Sequence, residues 1–493
     1  MPVSGLPIPT VRESDGRDDR SMRIDLETRK RVTYMFRRLN EAGASRVRWL
    51  AMTGALALLF TTGCDSVLEV TEREFLTPAG TNVELLFNGA IRDFNQAYSG
   101  GGLDDRILAN EALLTDQLFS SGTFSTRTAT DQRDQFSMVQ GNTSDAGYVE
   151  LHQARRAALR TLEALTEAGE TSGSRVSTMK MMEGFSYIGL GENYCSGIPF
   201  SDVTPEGELV AGSPISTSQV FEAVIPIFDA AIAADGSNDA ARVGKARALV
   251  NLGRYSEAAG VVSGVATSYL RTIEHSDNSG DQENPIFNLQ SNGRYSLSDL
   301  EGGNGLPYRS AQDPRIPWTE NPLGGFDAGI RLFLVEKYTD RNAPVVLADG
   351  IEARLIEAEA DLNASGTNWL TILNDLRSQV ATLMPPRFVS YSSKVPGPNN
   401  PTTTLAPLTD PGTFDLRVDM LMSERAFWMF ITAHRLGDMR RLIRDYGRSQ
   451  TSLFPNGSYF KGGTYGDDVV LPLEFDETNN SNYDDALCVF ETP

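Results

Sequence analysis

The sequence predicts a mainly α fold of paired helices, interrupted by one loop-rich, irregular region with few short strands. Three observations predict it. Apolar residues recur at helical spacing through most of the chain from Asn82 onward. Glycines fall between those runs, where the turns of stacked helical hairpins need them. From His275 to Pro344 the texture changes to Gly, Asn, Asp and Pro with scattered aromatics, Phe287, Tyr295, Tyr308, Trp318 and Phe326. Loops this long in a compact chain are functional or disordered, and interleaved aromatics argue against disorder.

The elements follow in order. Helices are predicted over Asn82 to Tyr98, Leu103 to Phe119, Tyr148 to Ala168, Ser177 to Leu190, Thr217 to Ala234, Asp239 to Leu252 and Ser256 to Tyr269. Between the second and third lies a polar loop, Ser120 to Asp134, where Phe124, Arg127 and Arg133 stand among hydroxyls and suit contact with a ligand. Within Ala240 to Val265, Leu252-Gly253, Tyr255 and Ala258-Ala259 occupy the positions where a tetratricopeptide unit places Leu-Gly, Tyr and small residues. Helices return over Gly350 to Asn363 and Asn368 to Leu383, and a Pro/Thr/Asn-rich interruption runs from Pro385 to Pro411.

The stretch Glu424 to Arg441, ERAFWMFITAHRLGDMRR, reads as one long buried helix with Ser423 as its N-cap. Its arginines are expected to pair with Asp438 and with carboxylates elsewhere. Nothing else in the chain supplies a chemistry for these residues to share. Arg435 and Asp438 are therefore expected to be structural.

Composition excludes several functions. At 493 residues the chain can bury one large core or two to three smaller ones. Its 44 Lys+Arg against 65 Asp+Glu give a net charge of −21, a poor surface for nucleic acid. The three histidines, His152, His275 and His434, lie far from one another and from the three cysteines, so no zinc framework is present. With no phosphate loop and no G-x-S-x-G elbow, the expectation is binding without catalysis, metal or cofactor.

The N-terminal part reads as an export signal. Arg46-Val-Arg48 precedes an apolar run from Trp49 to Phe60 and then Thr61-Thr62-Gly63-Cys64. A dozen apolar residues suit a signal peptide and are too few to span a bilayer. Basic, apolar, small, cysteine is the order of a bacterial lipoprotein signal. Residues 1–63 are expected to be an extension and signal that are removed, with Cys64 lipidated. Met1, Met22 and Met35 are alternative starts, of which Met35 best fits a signal. The mature part divides into a helical scaffold, 64–274, a loop-rich insertion, 275–349, and closing helices with a C-terminal closure, 350–493.

Four stretches in this order carry a resemblance. They are Met179 to Phe200 (MKMMEGFSYIGLGENYCSGIPF), Glu352 to Asn363 with Ile372 to Arg377 after it, the set Glu424, Arg425, His434, Arg435, Asp438 and Arg441, and Val470-Leu471-Pro472-Leu473-Glu474 followed by Asn479-Asn480. Behind a lipoprotein signal, they resemble the SusD/RagB family, outer-membrane lipoproteins that capture nutrients for a TonB-dependent transporter. The chain departs from the family signature at Trp428 and Thr432, where Glu is usual, at Ala433, where Gly is usual, and at Leu436 and Gly437, where aromatic residues are.

The resemblance implies tetratricopeptide-like helix pairs scaffolding an irregular ligand-facing half, and no catalytic chemistry. It implies an outer-membrane, lipid-anchored, cell-surface protein that closes as a lid over a barrel transporter on a glycan or peptide. Arg435 and Asp438 would then fix where the ligand-facing half sits. Aromatic platforms suit glycans because sugar rings present apolar C–H faces. Phe124, Tyr308 and Trp318 are candidate platforms, with Asp116, Arg309 and Asp313 as polar partners. Cys195 and Cys488, both in the exported part and the two cysteines left beside a lipidated Cys64, are expected to form a disulfide. The alternative is a lipid-anchored tetratricopeptide-like scaffold that assembles envelope proteins without a small ligand.

Overall fold

Asn82, Ser216, Asn238, Asp349 and Thr413 each turn a side-chain oxygen back onto a backbone N–H, and each starts a helix. The computed structural model describes residues 82–135, 147–204 and 207–489. The expected signal peptide, the lipidation site Cys64 and the alternative starts lie outside them.

The helices in order are α1 (Val83–Ser99), α2 (Ile107–Leu114), α3 (Ser125–Gln132), α4 (Tyr148–Glu167), α5 (Ser174–Asn193), α6 (Thr217–Ala234), α7 (Asp239–Asn251), α8 (Tyr255–Val262), α9 (Pro285–Ser291), α10 (Gly350–Asn363), α11 (Trp369–Ser378), α12 (Val380–Leu383), α13 (Tyr391–Lys394), α14 (Phe414–Trp428), α15 (Arg435–Arg444) and α16 (Gln450–Leu453). The main packing path runs α1 on α4, α4 on α5, α5 on α6, α6 on α7, α7 on α8, α8 on α10 and α10 on α14. This stack of neighbouring pairs is mainly α and is the tetratricopeptide-like scaffold. Small residues set its closeness: a Cβ on Gly184 of α5 would lie 2.6 Å from the Phe228 ring, and one on Gly244 of α7 2.4 Å from it. A second core, with Ile351, Leu355, Trp369, Leu373, Leu421 and Trp428, joins α10, α11 and α14.

The strands are short: β1 (Leu118–Ser120), β2 (Ile198–Pro199), β3 (Asp202–Val203), β4 (Leu209–Val210), β5 (Pro214–Ile215), β6 (Leu270–Ile273), β7 (Tyr295–Leu297), β8 (Trp318–Asn321), β9 (Leu332–Val335) and β10 (Val345–Asp349). They pair antiparallel as β1 with β7, β2 with β5, β3 with β4, β6 with β10 and β8 with β9. Cys195 and Cys488 are joined by a disulfide, Cα to Cα 5.0 Å, that ties the end of the described chain to the turn after α5.

Several boundaries differ from the sequence reading. The helix expected over Leu103 to Phe119 is α2 followed by β1, and the one expected over Ser256 to Tyr269 is α8, after which the chain turns toward β6. The expected loop Ser120 to Asp134 contains α3. In the irregular region Asn284 caps α9 and Pro285 sits at its start, a short helix that the periodicity did not reveal.

The largest correction concerns Glu424 to Arg441. It is two helices, not one, and Ser423 lies inside α14, whose N-cap is Thr413. The break places Ile431 at φ 47 and Ala433 at φ 56, backbone that favours glycine. The carbonyls freed by the break are captured from afar. Tyr98 donates its hydroxyl to Thr432 O at 3.1 Å, Tyr338 donates to Ile431 O at 2.7 Å, Lys337 donates to Phe430 O and Arg247 to Ala433 O. Donors on the carbonyls of Phe430 to Ala433 offset the cost of burying the break.

Candidate functional site

The six residues expected to face a ligand fall in three different surroundings. Asp116 and Tyr308 have no exposed surface. The Asp116 carboxylate receives Arg435 Nε and Nη2 at 2.9 and 3.0 Å, the Leu306 N–H at 2.8 Å and the Tyr308 hydroxyl at 3.1 Å. Four donors saturate it, so both residues are structural, which corrects their selection as ligand contacts. Asp313 is buried too. It receives Arg315 Nε and Nη2 at 2.9 and 2.7 Å, while Arg315 also reaches Glu424 at 2.7 Å.

Arg309, in the loop before β8, lies beside Trp318 at the start of the β8–β9 hairpin, and both are half-buried. The Trp318 indole N–H donates to Arg309 O at 3.3 Å, and the Arg309 guanidinium sits 3.6 Å from the centre of the Phe333 ring. Burial, before any charge, holds the Arg309 pKa below the ordinary arginine value.

Phe124 is 50% exposed, and it belongs to a platform that the sequence did not single out. Three loops build it: the turn after β1, the turn before β7 and the tip of the β8–β9 hairpin. They are laced by main-chain bonds, Ser121 N–H to Arg294 O at 2.8 Å, Asp327 N–H to Ser121 O at 2.9 Å and Phe326 N–H to Gly293 O at 2.7 Å. The approach requires glycine. Gly293 is at φ 68, and a Cβ there would stand 2.8 Å from Phe326 N.

The lacing presents Phe124 and Phe326, the latter 56% exposed, with Arg294 against both. Its guanidinium carbon is 3.4 Å from the centre of the Phe326 ring and 4.8 Å from that of Phe124. Arg127 meets the Phe124 ring at 4.8 Å and is held to Asp105 at 3.0 and 3.1 Å. Phe460, half-exposed, packs edge-on against Phe119 at 5.2 Å, and Lys461 donates to Gly122 O. Arg294, Phe326 and Phe460 went unselected because nothing in their local sequence joins them. Only the Gly-rich turns at Gly293 and at Gly324-Gly325 signalled close backbone approach.

A cleft of about 400 Å³ lies elsewhere, between α4, the β3–β4 hairpin and residues 474–480. Much of its polar lining is matched internally, with Arg156 to Asp202 at 2.7 Å and the Tyr148 hydroxyl on Glu477 at 3.1 Å. The loop platform instead leaves aromatic faces and a cation open, and an arrangement of that kind stacks and hydrogen-bonds a ligand without reacting with it.

No protein-family model and no curated protein matches the sequence. Solved structures match the fold. A SusD homologue from Bacteroides fragilis NCTC 9343 superposes with a TM-score of 0.58 at 14% identity, over 82% of this chain and 94% of that one. A SusD superfamily protein from Bacteroides fragilis gives 0.56 at 16% identity, over 83% and 99%. The surface glycan-binding protein A from Bacteroides uniformis gives 0.51 at 14% identity, over 75% and 90%. At these identities the likeness is one of architecture, and the architecture of this chain is the SusD/RagB fold.

Proposed function

We propose that this chain is a surface lipoprotein of SusD/RagB type that captures a glycan nutrient and passes it to a partner TonB-dependent barrel transporter. The observation that carries the reading is the pair of half-exposed rings, Phe124 and Phe326, fixed around Arg294 by main-chain bonds between three loops. Rings held this way lose little freedom when a sugar stacks on them, which raises affinity for a given contact area. Trp318, on the same hairpin as Phe326, and Arg309, which packs against that hairpin at Phe333, extend the surface for polar contacts. The solved relative from Bacteroides uniformis is a surface glycan-binding protein, which supports the same ligand class.

Lipidation at Cys64, an outer-membrane, outward-facing position and the division into 64–274, 275–349 and 350–493 belong to the same proposal. They rest on the order Arg46 to Cys64 and on the change of texture at His275. The protein acts by binding, without a catalytic step.

The test is a combined glycan and peptide array on the protein from Asp65 to Pro493. Glycan binding lost in Phe124→Ala and Phe326→Ala supports the reading. Peptide binding alone changes the nutrient, and binding to neither array, with no barrel co-purifying from membranes, favours the envelope scaffold.

A further inference from the structure

Arg294 is the guanidinium at the centre of the platform, and it makes no ion pair among the described residues. Its Nη1 is buried with no hydrogen-bond partner. The charged groups around it come from three elements. Arg127, on α3, spends its charge on Asp105 at 3.0 Å. Lys461, on the loop after α16, bonds Gly122 O and stands 3.6 Å from Asp327 of the hairpin tip. Burial first, and then the nearby Arg127 cation, hold the Arg294 pKa below the ordinary value. A cation in such a place is destabilised by its surroundings and is relieved by an acceptor that carries negative charge.

The backbone is shaped to keep it there. The Arg294 side chain passes over Gly122, where an added Cβ would lie 3.1 Å from its Cδ. The rings of Phe124 and Phe326 lie against the guanidinium carbon at 4.8 and 3.4 Å and leave the half-buried side chain reachable from solvent. In a chain of net charge −21, long-range attraction for an anion is absent, so capture of one depends on such local cations. Arg309, stacked on Phe333 of the same hairpin, is a second guanidinium without an ion-pair partner among the described residues.

We infer that the glycan taken by this platform is acidic, with a carboxylate or sulfate group seated on the unpaired Arg294 guanidinium while Phe124 and Phe326 stack on its sugar rings. This inference rests on the glycan-capture reading and narrows it to uronic-acid-containing or sulfated glycans.

The experiment is titration calorimetry of the protein from Asp65 to Pro493 with two matched pairs of probes. One pair is an oligogalacturonate and its carboxyl-reduced counterpart, the other a chondroitin sulfate oligosaccharide and its desulfated counterpart. The acidic member of one pair is expected to bind about tenfold tighter or more than its neutral partner, and to weaken with added salt. The pair that shows the difference identifies carboxylate or sulfate. Arg294→Gln should bring the acidic probe down to the affinity that the same variant shows for the neutral one, with the melting temperature confirming that the fold is kept. Equal binding of acidic and neutral probes, sensitive to Phe124→Ala, overturns the acidic assignment while glycan capture stands. The same holds if Arg294→Gln keeps the full preference. Binding of no probe, with an array free of glycan hits, overturns both.

Discussion

Arg435 and Asp116, 319 residues apart in the chain, meet as a two-point ion pair at 2.9 and 3.0 Å with both side chains buried. The same carboxylate holds Leu306 and Tyr308. One aspartate therefore fixes the start of α15, the exit from α2 and the loop leading toward the β8–β9 hairpin. Arg435→Ala leaves that carboxylate buried with its charge unmatched, which costs about 3–5 kcal/mol. Guanidinium unfolding should register the loss. Full stability in Arg435→Ala together with abolished ligand binding would place Arg435 in the site instead.

The Cys195–Cys488 bridge closes a loop with a sequence separation of 293. Replacing both cysteines by serine removes a constraint on the unfolded chain, at a cost of about 2–5 kcal/mol. The melting temperature should fall in the double variant and in the reduced wild type by similar amounts. Free thiols in the non-reduced protein, read by mass spectrometry, would contradict the bridge.

Asp131 and Glu301 form a buried acidic pair with hydroxyl donors and no direct cation partner among the described residues. Tyr459 donates to Asp131 at 2.7 Å, Tyr465 donates to Glu301 at 2.9 Å, and Ser298 also donates to Glu301. Burial pushes the Asp131 carboxyl up to about 6, and pushes Glu301 up as well. A carboxyl whose folded value lies above its unfolded value stabilises the fold fully below the unfolded value, and loses that contribution as pH rises through the folded one. The Asp131 contribution therefore declines between about pH 4 and 6. Asp131→Asn, which mimics the protonated form, should flatten the pH dependence of the melting temperature in that window and raise it at pH 7. An unchanged slope would show that Asp131 does not hold the proton.

Phe228 packs where Gly184 and Gly244 leave room, with would-be Cβ atoms 2.6 and 2.4 Å from its ring. Ala at either position overpacks the α5–α6–α7 contact and should cost about 1–3 kcal/mol. Gly184→Ala combined with Phe228→Leu should recover part of the loss. Additive losses in that pair, measured by urea unfolding, would mean that the ring is not the obstacle.

The legible part of the fold is the part whose signals are local. Gly350–Asn363 has the bounds its periodicity predicts, because Asp349 caps it and an apolar face runs its length. The break after Trp428 was hidden, since it depends on Tyr98, Arg247, Lys337 and Tyr338, which lie far away in sequence. The site followed the same rule. Residue type made Asp116, Tyr308 and Asp313 attractive ligand contacts, but type carries no information about burial, and all three are engaged inside the protein. Phe124 lies on the exposed platform, whereas its partners Arg294 and Phe326 become neighbours only through main-chain bonds between three separate loops.

The most direct test of glycan capture is calorimetric titration of Phe124→Ala/Phe326→Ala with the glycan that scores highest on the wild-type array. Both rings are half-exposed, so the double variant should keep the wild-type melting temperature. Its affinity should fall by about tenfold or more, as expected when two stacking faces are lost. Wild-type affinity in the double variant would contradict the account.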